Sequence, residues 1–172
     1  YDALITNEPG CALTMNFADC TPILLLDPVN HAIGLGHAGW KGTVVDLPGA
    51  MVRAMRQQFG SSPANLLAGI GPCISWENYE VDEPLVNEVQ AAFSEWDRLL
   101  RKPPEKGNGR YHYDLPEANR QRLLQAGVQQ IELSNLCTAD RTDLFFSHRA
   151  ERGKTGRFGS IFVLGEAVRS ER

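Results

Sequence analysis

Pro22-Ile23-Leu24-Leu25-Leu26-Asp27, then Pro28-Val29-Asn30-His31, then Ala32-Ile33-Gly34-Leu35-Gly36 is the stretch that decides the fold. Two apolar runs of strand length, separated by turn-forming Asp-Pro-Val-Asn, read as consecutive buried strands. Ile23 to Leu26 is as long as any apolar run in the chain, far short of the ~20 residues that a membrane-spanning helix needs.

On the C-terminal side the period changes. Leu47, Met51, Met55 and Phe59 recur every four residues, with Asp46 as N-cap, Pro48 in the first turn and Gly60 as the stop, so a helix is expected there. Leu66 to Ile70 reads as a strand ending in Gly71-Pro72. Asp82 caps a second helix whose inward face carries Leu85, Val89, Phe93 and Trp96. The polar, Pro/Gly-rich Arg101 to Arg110 reads as a solvated loop, with a lid as the alternative. Asp114-Leu115-Pro116-Glu117 has the spacing of a capping box for a third helix that Gly127 closes. Further strands are expected at Gln129 to Leu133, Leu144 to Phe146 and Gly159 to Leu164. Strands and helices mix without strict βαβ alternation, which points to an α+β or irregular mixed α/β fold. On the N-terminal side Ala3-Leu4-Ile5-Thr6 already reads as a strand, and the first residue is Tyr1. The expectation is a single domain over 1–172 that begins in mid-fold.

With 42% apolar and 22% charged residues in 172, the chain has the composition of one globular domain able to bury a core. Its net charge of -4 argues against nucleic acid or an anionic membrane as a general partner. Cys11, Cys20, Cys73 and Cys137 are scattered, with no CxxC, and suit a reducing cytoplasm.

The densest chemistry lies between residues 18 and 42. Ala18-Asp19-Cys20 precedes the first strand of the hairpin and His37-Ala38-Gly39-Trp40-Lys41-Gly42 follows the second. If the strands pair, Cys20 and His37 share one edge of the sheet. Such a pair serves as a nucleophile with its base, as a soft-metal site, or as a core Cys beside a turn His. Phe145-Phe146-Ser147-His148-Arg149, read as a strand end, leads into the Gly-rich basic run 151–157, which can hold a phosphate or carboxylate or simply be solvated. Cys11, Cys73 and Cys137 are read as core residues, His31 as solvated, and His112 and Asp114 as structural.

Taken in order, ADCTP at 18–22, HAGWKG at 37–42, IGPCI at 70–74 with Tyr79-Glu80-Val81, Asp114-Leu115, Cys137-Thr138, FFSHR at 145–149 and TGR at 155–157 resemble the YfiH family. That family is also called the polyphenol oxidase, laccase-domain or DUF152 family. The resemblance runs from about Asp2 to Leu164. It implies a YfiH-like fold of mixed sheets flanked by helices, related to that of cysteine-dependent toxin deamidases. It also implies a cytoplasmic, metal-dependent purine nucleoside phosphorylase, monomeric or weakly oligomeric, acting on adenosine, inosine, guanosine and methylthioadenosine with phosphate, and with adenosine deaminase activity. The implied metal is zinc, with copper in the older laccase description, and its ligands here are Cys20 and His37. The family's third ligand, a His in a V-H-G segment, and an Arg in a T-R-x-G-G-x-S segment are absent from this sequence. His112 and His148 match neither position. Lys41 stands where Arg is common, and Ala150 where a second Arg is common. Lys41 and Arg149 are the candidates for the anion. The competing functions are a cysteine hydrolase using Cys20 and His37, acting for instance on cell-wall precursors; a copper-dependent phenol oxidase, disfavoured by the lack of a His-x-His pattern; and an inactive fragment without an enzymatic role.

Overall fold

The structure is a computed structural model that describes residues 2–102 and 110–165. In chain order its regular elements are β1 (Ala3–Thr6), β2 (Ala12–Phe17), β3 (Thr21–Asp27), β4 (Ala32–Ala38), α1 (Trp40–Val44), α2 (Leu47–Phe59), β5 (Leu67–Ile70), β6 (Glu80–Val81), α3 (Glu83–Ala92), β7 (Leu100–Arg101), β8 (Tyr111–Tyr113), α4 (Leu115–Gln125), β9 (Gln130–Leu133) and β10 (Phe158–Val163). Short 3-10 turns lie at Pro63–Asn65 and Trp96–Arg98. The mixed α/β fold expected from the sequence is the fold observed.

The hairpin is the centre of a five-stranded sheet of order β1-β4-β3-β5-β9, antiparallel except for the β5/β9 pair. The hairpin strands are apolar from Pro22 to Leu26 and from Ala32 to Gly36 because both faces are covered. Ile23 and Leu25 join Met51, Met55 and Leu123 in the core beneath α2 and α4, whereas Leu24 and Leu26 pack with Leu13, Ile33, Leu35 and Phe162 beneath the β2/β10 ribbon. Close approach of α2 depends on a missing side chain, since a Cβ on Gly36 would lie 2.3 Å from the Met51 sulfur. The helix boundaries follow the sequence signals: the Asp46 side chain accepts from the Gly49 N–H at 3.1 Å, and Gly60 ends α2 at a φ of 72°.

A second core lies beside the sheet. The three-stranded sheet β6-β8-β7 packs with α3 and the start of α4 around Val81, Val89, Phe93, Leu99 and Tyr113. Asp82 and Asp114 cap α3 and α4 through the N–H groups of Leu85 and Glu117. The reciprocal half of the capping box is not made, because the Glu117 carboxylate turns to Arg120. Trp96 is not on α3, because Phe93 takes an extended backbone and ends the helix. Leu144 to Phe146 is not a strand. The N–H groups of Leu144 and Phe145 both return to the Arg141 carbonyl, forming a turn. Alternation in Ala12-Leu13-Thr14-Met15-Asn16-Phe17 marks β2, with Leu13 and Phe17 buried and Thr14 and Asn16 exposed. Within the expected loop, Arg101 closes β7 and the lid reading of 103–109 lies outside the described residues. No helix among the described residues is long and apolar enough to cross a membrane.

The β3–β4 turn is set by one carboxylate. Asp27 accepts from the N–H groups of Val29 and Asn30 at 2.9 and 3.0 Å and from the Asn30 amide at 2.8 Å. Burial alone would push this carboxyl up, but the donors outweigh it and hold Asp27 below its ordinary value. Its contribution is therefore present above the usual carboxylate range and lost as pH falls through the depressed value. Asp27→Ala is expected to lower the free energy of unfolding by about 2 kcal/mol at neutral pH. Urea unfolding at several pH values should show the difference between variant and parent shrinking as pH falls below the usual carboxylate range.

Candidate active site

In the hairpin, Thr21 faces Ala38 and Pro22 faces His37. Extending this register by one residue brings Cys20 opposite Gly39. Because side chains alternate along a strand, Cys20, Pro22 and His37 share the face that the β2/β10 ribbon covers. Gly39 is required at that point, since a Cβ there would lie 2.9 Å from the Cys20 sulfur. The His37 ring is held by an aromatic series: its centroid is 5.0 Å from that of Phe17, Phe17 is 5.8 Å from Phe158, and Phe158 is 5.1 Å from Phe145. The His37 N–H donates to the Asp2 carbonyl at 2.8 Å.

Asp19 positions the rest. It adopts a φ of 80°, a conformation uncommon for a residue with a side chain. One carboxylate oxygen accepts the Thr138 hydroxyl at 2.7 Å, and the other accepts the Arg149 N–H at 2.6 Å. Its carbonyl accepts the Ile74 N–H at 3.0 Å. Arg149 thus starts not from a strand end, as the sequence suggested, but from a turn fastened to the residue before Cys20. Its guanidinium donates to the Glu80 carbonyl at 2.8 Å and lies 5.1 Å from the centre of the Tyr79 ring.

These groups line one cleft of about 480 Å³. All four residues singled out from the sequence, Cys20, His37, Lys41 and Arg149, reach it, together with Trp40, Tyr79, His148 and Arg157. Burial, reinforced by Asp19, pushes the Cys20 thiol up, and Arg157 partly offsets this. Burial pulls the His37 imidazole down, against Asp2, and Arg157 acts in the same direction as burial. Lys41 places its ammonium 5.5 Å from the Trp40 ring centre. Tyr79 and Arg157 belong to the quoted motifs, but their meeting at this cleft depends on long-range packing. Other readings divide. Cys73 is buried and its thiol is pushed up to about 12 by burial, as suits a core residue. Cys11 is exposed rather than core, lying in the loop before β2. Cys137 is only half-buried, and its sulfur accepts from the Ser75 N–H and the Asn78 amide. His31 is exposed in the hairpin turn. His112 is buried with Nδ1 2.8 Å from the Trp76 carbonyl, a structural placement.

A metal needs more donors than the described residues bring together. Cys20 and His37 share the cleft, but no group of three or more His, Cys, Asp or Glu among the described residues could hold an ion. Two donors do not fit a three-ligand site. His148 does not complete it; its ring packs against the backbone of Gly153.

Residues 1–165 match the family described as multi-copper polyphenol oxidoreductase laccase. The chain belongs to this family. It is 39% identical over 168 residues to the purine nucleoside phosphorylase YlmD of Bacillus subtilis, covering 96% of this chain and 59% of that protein. It is 40% identical to the purine nucleoside phosphorylase of Bacteroides thetaiotaomicron, covering 95% of this chain and 60% of that one. Among solved structures it matches the hypothetical protein YfiH of Bacillus licheniformis with a TM-score of 0.88 and 40% identity, covering 95% of this chain and 61% of that one. YlmD from Geobacillus stearothermophilus matches with a TM-score of 0.88 and 38% identity over 96% and 61%. The chain thus spans about three fifths of the length of these relatives.

The anchoring role of Asp19 is open to direct test. Asp19→Ala removes an acceptor from two donors and is expected to cost about 3 kcal/mol of stability. Amide exchange at Arg149 to Gly153 should accelerate more than exchange in β3 and β4. An exchange pattern unchanged at 149–153 contradicts the anchoring.

Proposed function

We propose that this chain carries the catalytic cleft of a purine nucleoside phosphorylase. The observation that supports this reading best is the convergence of three cations, Lys41, Arg149 and Arg157, with two aromatic side chains, Trp40 and Tyr79, around Cys20 and His37. Phosphorolysis asks for such a set. The nucleophile is a phosphate anion whose charge must be held next to a neutral nucleoside. The substrate offers a flat heterocycle that aromatic walls can hold.

In the reaction a phosphate oxygen forms a bond to ribose C1′ as the C1′–N9 bond breaks. The bonding pair leaves with the purine, which takes up a proton, and the products are the free base and ribose 1-phosphate. Positive charge builds on the ribose as the glycosidic bond loosens, so phosphate held close on its open face stabilises the transition state as well as attacking. Lys41 and Arg149 bind and orient that phosphate. Partial enclosure of the cleft by Ile74 and Leu115 strengthens these contacts by limiting water.

The substrates under this reading are adenosine, inosine, guanosine and methylthioadenosine with phosphate, with deamination of adenosine as a second activity, in the cytoplasm. Cys20 and His37 are the two donors that the described residues would offer a zinc or copper ion, which would supply Lewis acidity and an activated water. A cysteine hydrolase is less well supported: burial and Asp19 push the Cys20 thiol up, the opposite of what an activated nucleophile requires.

The chain is expected to release hypoxanthine from inosine only when phosphate is present, with ribose 1-phosphate in equal amount, as followed by chromatography. Cys20→Ser and His37→Ala should each lower kcat/KM by about a hundredfold or more. Arg149→Ala should raise KM for phosphate by about tenfold. No base released from inosine, adenosine or guanosine sinks the reading.

A further inference from the structure

Arg157 stands at the head of β10, and its location differs from that of the other two cations in the cleft. The ribbon register pairs Phe158 with Phe17, so extending it by one residue brings Arg157 opposite Ala18, two residues before Cys20. The backbone there is set by packing. Phe158 stacks on Phe17, which stacks on His37, and a Cβ on Gly156 would lie 2.9 Å from the Phe146 ring, so the turn before Arg157 is closed tightly by an aromatic face. Arg157 Nη1 donates to the Gly156 carbonyl at 2.7 Å, which fixes one side of the guanidinium. Among the described residues its Nε and Nη2 make no hydrogen bond, and the side chain is exposed where it lines the cleft.

Arg149 and Lys41 are placed otherwise. Arg149, whose Nη1 likewise donates to two backbone carbonyls, those of Asn78 and Glu80, lies over the Tyr79 ring on the wall shared with a neighbouring cleft of about 920 Å³. Lys41 leans on Trp40. Arg157, by contrast, enters the cleft from the strand end opposite Ala18, beside the segment that leads into Cys20.

Resting on the phosphorylase reading, we propose that Arg157 is the principal phosphate-binding residue, its free N–H groups holding the oxyanion over Cys20 and His37 while Arg149 and Lys41 hold the outer side. A planar guanidinium with two adjacent free donors matches two oxygens of a tetrahedral dianion. Placement on the end of a strand gives that fork a defined position.

The test reads phosphate binding apart from turnover. Calorimetric titration of the chain with inorganic phosphate, and phosphorolysis of inosine, are compared for the parent, Arg157→Gln and Arg157→Lys, with circular dichroism confirming the fold. Arg157→Gln is expected to weaken phosphate binding and raise KM for phosphate by about tenfold or more, with KM for inosine within about twofold of the parent. Arg157→Lys, which keeps the charge but not the fork, should recover part of the loss. Phosphate affinity and KM within about twofold of the parent in Arg157→Gln overturn the proposal, as does an equal rise in KM for inosine, which marks general damage to the cleft. A parent that binds phosphate through Arg157 but cleaves no nucleoside leaves the anion site standing and removes the phosphorylase reading. A parent that does not bind millimolar phosphate removes the anion site itself.

Discussion

The carboxylate of Asp19 is the contact on which the cleft depends. A charge this buried is stable only when its oxygens are occupied, and here they accept from Thr138 and from the backbone of Arg149. The two partners lie 119 and 130 residues along the chain, so a single side chain closes two long loops at one point. The left-handed backbone at Asp19 is part of the same device. A φ of 80° turns the chain sharply before β3, aiming the carboxylate toward the 138 and 149 segments while Cys20 enters the hairpin register.

A second constraint acts through the sheet. β3 and β4 are covered by helices on one side and by the β2/β10 ribbon on the other, so neither strand can slip without turning its apolar side chains to the wrong core. Register here is also chemistry, because the same parity that sends Leu24 and Leu35 under the ribbon sends Cys20 and His37 there. A slip of one residue would separate the pair. The core and the site are specified by the same alternation, and Gly36 and Gly39 mark where one side chain more would force the layers or the Cys20 sulfur aside.

This explains which parts were legible in the sequence. The hairpin, the Asp46, Asp82 and Asp114 caps, the Gly60 stop and the Cys20/His37 juxtaposition are local or follow from pairing neighbouring strands. Periodicity and turn chemistry report such features directly. β2 was legible in principle, since Leu13, Met15 and Phe17 alternate with Thr14 and Asn16, but its partner β10 lies more than a hundred residues away. Leu144 to Phe146 misled because three apolar residues in a row resemble a strand. Two of them are exposed, and the third-layer contact they make, Phe146 against Gly156, has no periodic signature. The meeting of Arg149, Arg157 and Tyr79 at Cys20 is of the same kind: each is ordinary in its own segment, and only the Asp19 contacts and the aromatic series bring them together.

The charge distribution shows why that convergence matters more than the overall balance. The chain carries a net charge of -4, which by itself repels an anionic co-substrate. Lys41, Arg149 and Arg157 nevertheless face one concave surface, where walls of low dielectric focus their field. The nearest carboxylate, Asp19, has both oxygens turned to donors on the protein side. An anion that reaches the cleft therefore meets three cations and a carboxylate whose oxygens are already occupied. The cations are divided by place rather than by charge: Arg149 stands on the wall shared with the neighbouring cleft, whereas Arg157 stands at the strand end that faces the segment leading into Cys20.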